Sequence, residues 1–598
     1  MECKPYTEDH RERVPRRLTA ALALAIAIAA NGLLSAVLSA TTLLGGPTAL
    51  SPVTAGANRL TNGDFEATTP APWSTGPGWS IDRRTTHTGS GSLRREAGAP
   101  SATATVTLPA GAYRFSAWVK TQSLGAGARL RFDVRPAVHR WFATEIAPGT
   151  ASWREYALTD VVIPEPATVT LALEADEGTG GTAWFDDVKL EALLPPALET
   201  FLLYPNFHGT LFEDGPSTLT FDVRVTLPAA EVARHTVRGV LREEISGRVL
   251  TAASYPARGA FVAELDGRGM HAGTTYLATF ALTDAAGAET SASPAYRVSR
   301  APAEARASMK LAVDRHNRFE REGVPRFLLG GDDRPTLGPA AGDAGALDVI
   351  DAAATTAADA FARYTATRGR APDLVTLAMT SPHTDLRRWR DVADLVSMDA
   401  HAMFGPEPPS GYDHGAVARA TAQSRAAVRD ARPVVGVLPF TPLSALGRWP
   451  TLAEMRAHAY MAIVEGARGL WWSTAAVDLC GVACGDAAPH VENLKTVLDE
   501  LVHLEPVLLA ADADALARNS NSNIKTKVKL VNGRGFVLAY NASGSRQSTT
   551  FMWTTAPATV TVHAEDRALV TSGASFSDTF APFAAHVYVV DAGVGGAN

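Results

Sequence analysis

Three short apolar runs between Ala393 and Ser473 constrain the fold of this chain more than any other feature. They read Leu395-Val396-Ser397-Met398-Asp399, Val434-Val435-Gly436-Val437-Leu438 and Gly469-Leu470-Trp471-Trp472-Ser473. Each is rich in β-branched or aromatic residues and follows Asp, Pro or Gly, as strands buried on both faces of a parallel sheet do. Between the last two, Thr451-Leu452-Ala453-Glu454 is a capping box opening a helix, and the glycines of Glu465-Gly466-Ala467-Arg468-Gly469 close it. Strand and helix alternating in this way predict right-handed βαβ units. Chemistry in such architectures gathers beyond the carboxyl ends of the strands, so Asp399, Phe440, Trp472 and Ser473 are expected to share one rim. A carboxylate beside an indole on that rim points to a sugar site.

A chain of 598 residues is too long for one core, and three to five domains are expected. A net charge of −7, with no basic run after the N-terminal segment, excludes a nucleic-acid partner. At the N-terminus Lys4, Arg11, Arg13, Arg16 and Arg17 precede an apolar run from Leu18 to Leu44, and small residues continue to Ala57. Residues 1–57 are read as a secretory signal or, because the run is long, an uncleaved anchor. The protein is expected to be secreted or at the cell surface, touching a membrane only if that segment stays, and to be a monomer. Cys3 lies in this segment, which leaves Cys480 and Cys484. In an exported protein they read as a local disulfide, with a free pair or a metal site helped by His490 as alternatives.

Residues 58–194 alternate polar and apolar over Thr103–Leu108, Tyr113–Thr121, Thr168–Leu173 and Thr182–Leu190, with Gly and Pro turns between. Three motifs carry a resemblance: Asn62-Gly63-Asp64-Phe65-Glu66, His87-Thr88-Gly89-Ser90-Gly91-Ser92-Leu93 and Ala183-Trp184-Phe185-Asp186-Asp187-Val188. Together they resemble the cellulose-binding-type carbohydrate-binding modules, which have a jelly-roll sandwich. Sugar C–H bonds pack on aromatic faces. Trp73 and Trp141, among turn residues or beside Arg140, are the ligand candidates, whereas Trp79, Trp118, Trp153 and Trp184 read as core. The resemblance also implies a structural calcium near Glu66 and Asp187.

Residues 195–300 read as an immunoglobulin-like sandwich acting as a spacer. From Met309 the period changes. Arg321-Glu322-Gly323-Val324-Pro325-Arg326 forms a hairpin leading into Phe327-Leu328-Leu329-Gly330-Gly331, an alanine-rich helix is expected over 340–367, and a strand follows at Leu374–Met379. With the three opening runs this part, 309–510, resembles a glycoside-hydrolase (β/α)8 barrel, but one that is incomplete. Five strands are legible, and roughly 200 residues fall short of the 250 or so such a barrel takes. Residues 511–598 read as a C-terminal β-sandwich, with Asn532-Gly533 as a hairpin turn.

Glycoside hydrolysis needs two carboxyls. Asp399 is the first candidate, with Asp333 and Asp332 at the end of the first strand as partners. His401, Phe440 and Trp472 are expected to contact sugar, and no cofactor is expected for catalysis. Asp373, Asp394 and Glu465 precede strands and are read as structural. No carboxylate lies near Pro439 and Phe440, where the resembled barrels place their nucleophile. The whole reads as a secreted glycoside-hydrolase-like protein acting on a polysaccharide. The rivals are a glycan-binding protein with a degenerate barrel and a cell-surface adhesion or scaffold protein.

Overall fold

The computed structural model describes residues 45–592 apart from 126, 136–139, 145, 164, 176–179, 332–346, 352–354, 381–383, 401–412, 441–448 and 474–487. The described residues are mostly β, with three two-sheet units set around one α/β unit.

The first sandwich is antiparallel throughout. One sheet runs Trp79–Asp82, Ser92–Glu96, Thr182–Leu194, Gly111–Gln122, Ala151–Ile163, with Thr54–Asn58 also paired on Thr182–Leu194. The other runs Ala102–Leu108, Ala167–Ala175, Ala128–Arg135, Arg140–Ala143. Alternation sorts the faces: Leu130 and Phe132 enter the core, while Arg129, Arg131 and Asp133 take the opposite side. Gly63 backs so closely onto the closing strand that a Cβ would lie 2.0 Å from the Val188 carbonyl oxygen. No other residue fits there.

The boundary expected at residue 57 needs correction. Gly46–Pro47 pairs with the edge of the second sandwich, and Thr54–Asn58 pairs with the closing strand of the first. Small residues here read as the tail of a leader. They are small because the seam is tight: a Cβ on Gly45 would meet the His208 carbonyl oxygen at 2.3 Å.

In the second sandwich, Leu198–Tyr204, Thr218–Val225 and Ala260–Asp266 face a larger sheet built on Thr236–Glu243 and Thr275–Thr283. Phe221, Phe280 and Tyr296 meet edge to face in its core, with ring centroids 4.8 and 5.4 Å from Phe221.

Six parallel strands form the α/β unit: β1 (Leu328–Gly331), β2 (Leu347–Asp351), β3 (Val375–Thr380), β4 (Leu395–Met398), β5 (Val435–Pro439) and β6 (Gly469–Ser473). They pair as β1-β6-β5 and β2-β3-β4, and a parallel bridge from Asp399 to Val437 joins β4 to β5. Among the described residues no ladder joins β1 to β2. A closed eight-stranded barrel is therefore not shown. The chain between the hairpin and the terminal sandwich holds too few βα units for one. β2 is the strand missing from the sequence reading. Leu347-Asp348-Val349-Ile350-Asp351 falls inside the expected helix, which actually spans Ala357–Arg370 behind a Thr356 cap.

Both faces of these strands are buried, against different partners. Leu329, Ala378, Val396, Met398, Leu438, Leu470 and Trp472 share a core with the helices Ala357–Arg370, Ala416–Val428, Leu452–Val464 and Ala488–His503. Leu328, Leu377, Leu395, Val435 and Trp471 instead meet Phe207, Phe212, Met309, Leu311 and Phe319. The capping box holds as expected, with Thr451 and Glu454 bonding reciprocally across the first turn.

The terminal sandwich opens on the hairpin Ile524–Val531 and Arg534–Asn541, whose Asn532-Gly533 turn has φ of 49° and 76°, as the primed turn demands. Val537 and Tyr588 lie in this sandwich's own core, whereas Leu538, Tyr540 and Val587 pack onto the α/β helices. Arg456 cements that contact, donating to the Ala585 carbonyl at 2.7 Å while Glu500 of the Ala488–His503 helix holds its guanidinium. The segment around Leu386–Trp389 bonds the α/β unit to both leading sandwiches. Arg388 pairs with Asp160, Arg387 with Glu199, and Arg390 lies over the Phe201 ring.

Candidate functional site

Asp399 stands just past the end of β4, half-buried, with its N–H donating to the Thr380 carbonyl at 2.8 Å. Register sets its level: Asp399 is opposite Val437, which is opposite Trp471, which is opposite Gly330. Side chains in one row of a parallel sheet leave on one face. Asp399 therefore shares its face with Trp471, and Trp472 takes the other.

This overturns the expected platform. Trp472 is 1% exposed and lies among the helices, and Phe440, also 1% exposed, packs on Trp449 with centroids 5.2 Å apart. The sequence reading set the parity of the Trp471-Trp472 pair by the rim it had assumed. Register settles it: Trp472 lies opposite Leu438, which packs on the helices, and Trp471 lies opposite Val437. Ser473, 5% exposed, follows Trp471 on the Asp399 face. Asp351 was not singled out in the sequence. It ends β2 on that same face, exposed, in the row of Met379 and one pleat below Asp399. The carboxylates of Asp332 and Asp333, the His401 ring and the Cys480–Cys484 pair lie outside the described residues.

The acidic residues preceding the strands have structural partners. The Asp394 carboxylate accepts from the Tyr364 hydroxyl at 2.8 Å and the Thr376 N–H at 2.9 Å. Burial opposes its charge, but His208, Arg368 and these donors outweigh it and hold the group ionised well below the usual carboxylate range. Burial in turn pushes His208 down, against the pull of the Asp394 carboxylate. Glu465 accepts from the Tyr540 hydroxyl, and Asp373 pairs with Lys310.

The first sandwich offers a different arrangement. On the outward side of its four-stranded sheet, Thr105, Thr170, Asp133 and position 141 lie opposite one another in a single row. Arg131 bridges the Asp133 carboxylate at 3.2 Å and the Glu174 carboxylate at 2.5 Å, and Arg129 reaches Glu174 at 2.8 Å. Asp133 is 4% exposed. Its Oδ1 and the Arg131 Nε are buried without a hydrogen-bond partner among the described residues. The ion pairs fix both side chains in place, with Asp133 opposite Thr170. Backbone position 141 belongs to the edge strand of this row, although Trp141's side chain lies outside what is described.

Trp73 is corrected. It is 3% exposed and packs on Phe65 with ring centroids 6.3 Å apart, so it belongs to the core. Trp79, Trp118 and Trp153 are half-exposed, and the last two flank His87, which stacks on Trp118 at 3.7 Å and bonds Asp187 at 2.7 Å. Mid-strand position made Trp118 read as core, but it does not decide which face a residue takes.

Glu66 and Asp187 already accept hydrogen bonds from the loop between them. Glu66 accepts from the Ser90 N–H, the Ser90 hydroxyl and the Gly91 N–H, and Asp187 from the Thr88 hydroxyl and the His87 ring. They clamp the two ends of the His87–Gly91 loop. A calcium ion would have to displace those donors, and among the described residues no three His, Cys, Asp or Glu side chains form a cation site.

No family model matches the chain. No curated protein matches it either. Solved structures do. The module TmCBM61 in complex with β-1,4-galactotriose is 20% identical, covering 23% of this chain and 99% of its own, with a TM-score of 0.19. An Anoxybacillus α-amylase is 10% identical over 42% of this chain and 60% of its own, at a TM-score of 0.29. A GH30 endoxylanase from Clostridium papyrosolvens is 10% identical over 37% and 50%, at 0.20.

Proposed function

We propose that this is a secreted carbohydrate-active protein that holds a polysaccharide on the outward face of its four-stranded sheet. The observation carrying this reading is the Glu174–Arg131–Asp133 chain of ion pairs, whose Asp133 stands in the row of Thr170 and position 141. Glu174 fixes Arg131 from the far side, so the guanidinium is already oriented when a sugar arrives. Trp141 would add the apolar contact that pyranose C–H bonds require. Pull-down of the full chain on insoluble polysaccharides, followed by affinity electrophoresis in soluble ones, tests it. Binding that survives both Trp141→Ala and Asp133→Ala removes the proposal.

A second reading, glycoside hydrolysis, rests on Asp399 and its place on the Trp471 face beside the carboxyl ends of β5 and β6. Its partner carboxyl would come from Asp332, Asp333 or Asp351. Reducing-sugar release lost in Asp399→Asn, with binding intact, would favour it over a glycan binder with a degenerate barrel. At Glu66 and Asp187 a calcium ion would compete with the donors of the His87–Gly91 loop, and a melting temperature raised by added calcium would show that it displaces them.

A further inference from the structure

We infer that the cavity between the amino ends of β1, β5 and β6 and the terminal sandwich is a binding site for a tetrahedral oxyanion group, phosphate or sulfate. It stands at the opposite end of the α/β unit from Asp399 and does not depend on the sugar reading. Its volume is about 160 Å³. At roughly 30 Å³ per water this holds an anion with a few waters, but not a saccharide repeat.

Charge selects the occupant. Arg425, Arg432, Arg468, Lys527 and Lys529 line the space, against Asp430 and Asp512. Four of the five cations are spoken for. Arg425 bonds Asp430 at 2.7 Å and the Glu465 carbonyl at 2.7 Å. Arg432 donates to the Arg390 and Ala393 carbonyls, with Asp391 4.0 Å away. Lys527 and Lys529 share Asp512, at 3.0 and 2.6 Å. Arg468 has no side-chain hydrogen bond or ion pair among the described residues, yet it is half-buried. Its backbone N–H is fixed on the Val434 carbonyl at 2.8 Å, so the side chain starts from a rigid strand end.

Lys529 adds a second open donor. It is 2% exposed, and two of its three protons go to Asp512 and, at 2.6 Å, to the Ala510 carbonyl. Burial lowers its affinity for a proton, Asp512 restores it, and the Arg468 and Lys527 charges push it down again. A buried cation crowded by two others is relieved by an anion that all three can share. The guanidinium fork and an ammonium together fit the oxygens of a phosphate or sulfate. Access is available at Asp430, whose side chain is 66% exposed.

The test is isothermal titration of the full chain with sodium phosphate, sodium sulfate and galactose 6-sulfate, at ionic strength held constant with chloride. Saturable binding of at least one is expected, weakened about tenfold or more in Arg468→Met, because a charged hydrogen bond is lost. Arg468→Lys should recover part of it, and the ligand-free melting temperature of Arg468→Met should equal or exceed that of the wild type. Tighter binding of the ester than of free sulfate would assign the group to a sugar, and equal binding to the free ion; either supports the site. No saturable binding up to about 10 mM, or equal affinity in Arg468→Met, overturns it. Should Arg468→Met not fold, Arg468→Lys alone decides, since unchanged affinity there would show that the fork is not used.

Discussion

The outward face of the first sandwich and the rim of the α/β unit carry the two sugar-site expectations, and they differ in what fixes their side chains. On the sandwich, register alone brings Thr105, Thr170 and Asp133 into one row, and an arginine held by Glu174 completes it. On the α/β unit, both faces of every strand are packed, so a rim residue shows its side chain only if parity turns it from the helices. Asp399 passes that condition and Trp472 fails it. Alternation sorts residues onto the two faces of an antiparallel sheet, whereas a doubly buried parallel strand carries no such pattern.

The sharpest way to break this contrast is Trp472→Ala. As a core residue it should cost about 3–5 kcal/mol by urea denaturation, with no specific effect on sugar binding. A stable variant with lost binding would restore Trp472 to the rim. Trp141→Ala should do the opposite, lowering affinity for polysaccharide by about 2 kcal/mol, roughly thirtyfold, with the urea midpoint unchanged. Asp133→Ala should follow at about 1–2 kcal/mol in binding, since it removes one hydrogen-bonded partner of a fixed arginine.

A smaller effect separates the two sheets of the first sandwich. Asp186 lies behind the six-stranded sheet's outer face, where burial pushes its carboxyl up to about 6 against the donors His87 and Asp187. In the unfolded chain it titrates near 4, so the folded state gains by holding a proton. That stabilisation is complete below about pH 4 and fades as pH rises through 6. Melting curves of Asp186→Asn against the wild type should converge toward acid and diverge above pH 6. Parallel curves would show that the Trp118–His87 face is wet.

Several elements were legible before any coordinates. The Thr451–Glu454 box, the Asn532-Gly533 turn and the runs ending in Asp399 and Ser473 are all set by local chemistry, and all three stand as read. β2 was not legible, because Leu347-Asp348-Val349-Ile350-Asp351 is flanked by alanine that outweighs five residues of alternation. Parity of the Trp471-Trp472 pair was hidden for another reason: two adjacent indoles have no pattern, and the helices decide. Cavity-lining Arg468 drew notice only as part of a glycine motif, because its importance lies in neighbours from residues 512–529, far away in sequence.

Gly46–Pro47 is stitched to the edge of the second sandwich, with the Gly45 carbonyl accepting a hydrogen bond from Arg368 on the Ala357–Arg370 helix. Residue 45 is therefore anchored where the second sandwich meets the α/β unit, not on the first sandwich. A pull on it would load that seam and leave the four-stranded sheet untensioned.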